Sequence, residues 1–168
     1  MHSKIATAIA LVAAAIWLGG LAVLGAVVAP IVFRNVPLPA SADAMVLVFR
    51  RFDFLALACA VVIAASEVVR LRGRRERPTR LDATRIAAVA VASVLAMSIA
   101  GWFGPAIAKL HAAGAIRGVG EAGARLESTH RLTEWIAKIE LLALLVYVSA
   151  TGAKTTSESS VARSVEPD

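Results

Sequence analysis

Glu127, His130, Glu134 and Lys138 lie three and four residues apart, so on a helix they share one face. A stripe of carboxylates, an imidazole and an ammonium can carry a proton, hold a small anion or ligate a metal. The Glu134, Lys138 order is the favourable one for an i,i+4 ion pair, and Glu140 points away from this stripe. Arg50, Arg51 and Asp53 form a second group, just ahead of an uncharged stretch. Arg50, Arg51, Asp53, His130 and Glu134 are the candidate polar cluster. Facing one another, they would make an ion-paired network that either fixes helix register or binds a proton, a small solute or a metal. The imidazoles of His111 and His130 are candidate ligands for a metal or a haem, although sequence sets no separation between them. Cys59, the single cysteine, can form neither an internal disulfide nor a thiolate zinc site and reads as a small packing residue. His2 reads as a terminal bystander. No phosphate-binding glycine loop, zincin helix or Gly-x-Ser-x-Gly elbow occurs, and the function expected is non-enzymatic.

The elements that must position these residues are read from hydropathy. Of 168 residues 58% are apolar and 18% charged, with mean hydropathy +0.73. Soluble domains carry about 45–50% apolar and roughly 25% charged residues, so the solvent indicated is lipid. Residues 5–33 and 86–108 contain no charge and are long enough to span a bilayer. The uncharged runs 54–66 and 141–153 are shorter and must recruit polar neighbours. The pattern predicts an all-α integral membrane four-helix bundle with helices over 5–33, 42–69, 86–108 and 128–153. The first run continues well past the length of a secretory signal, so it is read as a retained span. Pro37 and Pro39 suit a turn, 70–80 reads as a basic loop, and 109–127 as a loop or short interfacial helix. The Ser- and Thr-rich stretch 154–168 reads as a disordered cytoplasmic tail.

The formal charge of +6 is read as membrane orientation, with no nucleic-acid partner. Seven arginines fall between positions 70 and 85, which places that segment and both termini in the cytoplasm. Small residues recur at every fourth position: Ala6, Ala10 and Ala14; Ala56, Ala60 and Ala64; Ala88, Ala92, Ala96, Ala100, Gly104 and Ala108. Such seams let helices approach closely in lipid; they are read as internal packing, with homodimerisation as the alternative. Trp17 is expected inside the bundle, Trp102 at the interface, and Pro30 and Pro105 at bends near the outer surface. The bilayer is the one partner implied, and no cofactor is called for.

The order Trp17-Leu-Gly-Gly20, Ala29-Pro30-Ile-Val-Phe33, Phe49-Arg50-Arg51-Phe52, Gly104-Pro105-Ala-Ile and His130 resembles the transmembrane-protein-205-like family across residues 5–153. That family often has an aromatic residue where this chain has Glu127, a Ser at Thr133 and an Asn at Ala137. The resemblance implies a four-helix membrane domain of unknown function, linked in eukaryotic members to drug and metal tolerance. Three functional classes follow from the residues: binding or passage of a small solute or metal at the outward-facing cluster, a structural or partner-binding scaffold, and a haem- or metal-binding oxidoreductase subunit.

Overall fold

The computed structural model describes the backbone of residues 2–73 and 79–164 and the side chains of 4–73 and 79–153. Four long helices account for almost all of it. Helix α1 runs through His2–Val23, a π-helical turn at Leu24–Val28, and Ala29–Asn35. Helix α2 is Ala40–Arg72. Helix α3 comprises Arg80–Ser98, a second π turn at Ile99–Phe103, and Gly104–Ala112. Helix α4 is Gly120–Ser164. All four are long and apolar enough to cross a membrane, as the hydropathy predicts. Spans of 32 to 34 residues reach about 50 Å, beyond a hydrocarbon core of roughly 30 Å, so their ends project past it.

The helices are longer than hydropathy suggests, because helix ends are set by backbone partners and not by charge. Helix α3 begins at Arg80, where Thr79 caps it: the Thr79 hydroxyl accepts from the Asp82 amide, and the Asp82 carboxylate accepts from the Thr79 amide. The loop or interfacial helix expected over 109–127 is resolved into the end of α3, a turn at 113–119 and the start of α4. Gly114, Gly118 and Gly120 have φ of 75°, 78° and 64° there, a region costly for any residue with a Cβ. The tail expected to be disordered from 154 is instead helical to Ser164: no Pro or Gly between Lys154 and Ser164 stops the helix. The central part of the basic segment, 74–78, and the last four positions lie outside the described residues.

The helices form a ring, α1 against α2, α2 against α3, α3 against α4, and α4 back against α1. The small-residue seams face its interior: Ala6, Ala10, Ala14, Ala56, Ala60, Ala88, Ala92 and Ala96 are buried, whereas Ala64 is exposed. Trp17 is fully buried at mid-span, as expected, and Trp102 is 74% exposed. Ile5, Ile9, Val12 and Ile16 point outward, the arrangement a lipid solvent favours.

Pro30 and Pro105 sit just beyond the two π turns. A proline cannot donate to the carbonyl four residues earlier, so the bonding register widens before it arrives. The Ala29 amide bonds Leu24 O and the Gly104 amide bonds Ile99 O, each five residues back. The expected bends are thus accommodated as paired π turns, one in each helical hairpin.

Gly20 marks the tightest approach of α1 to α2. A Cβ there would lie 2.5 Å from the Phe52 ring, whereas one at Gly19 would meet nothing within 4 Å. Gly20→Ala is expected to lower the thermal midpoint in detergent through overpacking of about 1–3 kcal/mol. Gly19→Ala should hold or raise it through helix propensity. Equal midpoints would show that Phe52 is not seated against Gly20.

Candidate functional site: polar side chains inside the bundle

Helix α4 turns one heptad-like face inward, made of Leu126, His130, Thr133, Ala137, Glu140, Leu144, Tyr147 and Thr151. It shares only His130 with the stripe read from the sequence. Glu134 and Lys138 are exposed, and Glu127 is partly so. Lys138 stacks over the Trp135 ring at 4.8 Å, and Glu134 turns toward Arg117 at 3.8 Å. Two stripes at 3,4 spacing pass through His130, and the apolar positions Leu126 and Leu144 decide which one is buried.

At the hairpin end, where α1 joins α2 and α3 joins α4, His111 and His130 meet with their Nε2 atoms 3.5 Å apart and their rings edge to face. Beside them Arg117 forks onto both oxygens of Glu127, which also accepts from Arg131 at 3.4 Å. The hydrogen bond to Glu127 holds the Arg117 guanidinium even further into its protonated form. Arg50 and Arg51 are exposed and border an open hollow with Leu47 and Phe54. Among the described residues no ion pair joins them to α4, so the expected network between the arginines of α2 and the acids of α4 is not formed. Asp53 is half-buried and faces the second π turn: a Cβ on Gly104 would stand 3.7 Å from its Oδ2.

Midway along the bundle, Trp17 Nε1 donates to Glu140 Oε1 at 2.7 Å. Glu140 is 2% exposed, and its second oxygen, Oε2, has no hydrogen-bond partner among the described residues. Asp53 lies within electrostatic reach of it.

Toward the termini end, Glu67 organises three helices. Its Oε1 accepts from Tyr147 Oη at 2.8 Å and from Arg70 Nη1 at 3.2 Å, and its Oε2 accepts from Arg85 Nη2 at 2.7 Å. Arg85 also lies 3.5 Å from Asp82, which the Thr79 cap holds in place. All five charged or phenolic groups are at least nine-tenths buried. Sequence reading missed this group, taking Arg70 and Arg85 as topology signals and passing over Tyr147. A signal was present: Glu67 with Arg70 and Asp82 with Arg85 repeat one acid-to-arginine spacing on either side of a single loop.

Among the described residues no group of three or more His, Cys, Asp or Glu side chains is placed to hold a metal ion. A family model described as a domain of unknown function, DUF4149, matches residues 12–115. The chain belongs to this family. The matched segment carries most of α1, all of α2 and α3, and His111, while Glu140, Tyr147 and His130 on α4 lie beyond it. No curated protein and no solved structure matches the chain.

Removing Arg85 takes a buried cation from both Glu67 and Asp82 and leaves Glu67 only Arg70 as an ion-pair partner, a loss of up to roughly 3–5 kcal/mol, whereas loss of one hydrogen bond to a charged acceptor costs about 1.5–3 kcal/mol. Thermal unfolding in detergent should therefore rank Arg85→Met as more damaging than Tyr147→Phe. The reverse order would mean that Arg85 does not neutralise Glu67.

Proposed function

We propose that this membrane protein binds or passes a small cation through the interior of its bundle, admitted at the outward-facing cluster around Asp53 and His130. The observation that carries this reading is Glu140, a mid-span carboxyl group buried to 2% exposure with one oxygen held by Trp17 and the other without a partner. An acid at that depth is costly to keep, and in membrane proteins such groups commonly mark ion or proton pathways. A proton or a small dehydrated cation is what an open carboxylate oxygen accepts, and Asp53 supplies a second acid on the way in. The arginine-rich segment 70–85 supports an orientation with both termini in the cytoplasm. The quoted motifs on α1, α2 and α3, with His130, support placing the chain beside the transmembrane-protein-205-like proteins.

A scaffold is the second reading, favoured by the Glu67 group, whose acid accepts from donors on three helices and locks the termini end. The two readings separate in vesicles loaded with a pH-sensitive dye and subjected to a pH step, with and without added K+ or Na+. Wild-type protein should collapse the gradient faster than Glu140→Gln protein that unfolds at a comparable temperature. Equal rates in wild-type, Glu140→Gln and empty vesicles for every cation would refute passage and favour the scaffold.

A further inference from the structure

We propose that His111 and His130 together form a binding site for a divalent transition-metal ion at the hairpin end of the bundle. Two imidazoles bound to one tetrahedral ion at about 2.0–2.1 Å place their nitrogens roughly 3.3–3.4 Å apart. The two Nε2 atoms stand 3.5 Å apart and point at one another, with ring centroids 5.8 Å apart, so the nitrogens are already near ligating separation and the rings must tilt to converge on an ion. The rings come from different helices, α3 and α4, and meet across a sequence separation of 19. Both are half-buried, so each retains a path to water.

Neutral imidazoles suit Zn2+, Cu2+ and Ni2+ better than Mg2+ or Ca2+, which take oxygen ligands. With two protein ligands the remaining positions fall to water, making an exchangeable site and not a closed structural one. The nearby cation Arg117 is offset by Glu127, which it grips with two nitrogens, and by Glu134 at 3.8 Å. Glu134, one turn along α4 from His130 and 55% exposed on its side chain, is free enough to swing toward a bound ion. The site is independent of the role proposed for Glu140.

The test uses the full-length chain in detergent micelles, without a polyhistidine tag, titrated with Zn2+ by calorimetry. Wild-type protein should bind one Zn2+ per chain. His111→Ala and His130→Ala should each weaken binding at least tenfold, while His2→Ala leaves it unchanged. Since Zn2+ that binds only folded protein raises the thermal midpoint, the wild type should gain stability with Zn2+ and the double variant should not. If either variant fails to fold, Cu2+ bound to the wild type should show paramagnetic-resonance couplings to two imidazole nitrogens. Folded wild type that binds no Zn2+, a His111→Ala/His130→Ala protein that binds it equally well, or a Cu2+ spectrum with fewer than two nitrogens would overturn the proposal.

Discussion

An ionisable side chain taken out of water into a packed helical bundle is costly unless another group neutralises or hydrogen-bonds it. Glu67 meets that condition most fully. Its two oxygens accept from Tyr147 on α4, Arg85 on α3 and Arg70 on its own helix. Three of the four helices are therefore tied at one point by charge-assisted bonds. In lipid, where apolar surfaces gain little by meeting, such ties and close small-residue seams set the register of the helices. The Asp82 capping box serves the same end: it fixes where α3 begins, and so where Arg85 stands relative to Glu67.

The other end of the bundle is built differently. There the polar groups are half-buried or exposed, the arginines of the Arg117 and Arg131 ion pairs are exposed, and the chain turns on positive-φ glycines at 114 and 118 and at Gly120, where α4 begins. Exposed pairs of this kind contribute little to stability. A π turn before each of Pro30 and Pro105 widens α1 and α3 just where they leave the packed core. Between the tightly neutralised end and the open end lies Glu140, whose Oε2 is the one fully buried carboxylate oxygen among the described residues without a hydrogen-bond partner.

Much of this was legible in the residues. Hydropathy located all four spans, because partitioning into lipid is a sum over local side chains. The inward positions of most of the alanine seams follow from small residues recurring on one helix face, and that of Trp17 from its place in the middle of a span. The faces of α4 were not legible: Glu127, Glu134 and Lys138 form as regular a stripe as Thr133, Ala137 and Glu140, and only contact with the other three helices decides which turns inward. Helix ends were misplaced for a related reason. Charge near Arg80 and in 120–127 ends a hydrophobic run, but it does not end a helix whose amides still have carbonyls to bond.

By itself, the sequence determined that this chain lives in a membrane as four helices, and which of its residues could do chemistry there. Tertiary structure alone decided which of those residues meet. Trp17 and Glu140 are 123 positions apart, Glu67 and Tyr147 are 80, and His111 and His130 are joined across a turn of undetermined reach until it folds. Hydropathy and helix periodicity are properties of neighbours along the chain. A hydrogen bond between helices depends on crossing angle, rotation and axial register at once, and those are fixed only when the whole bundle packs.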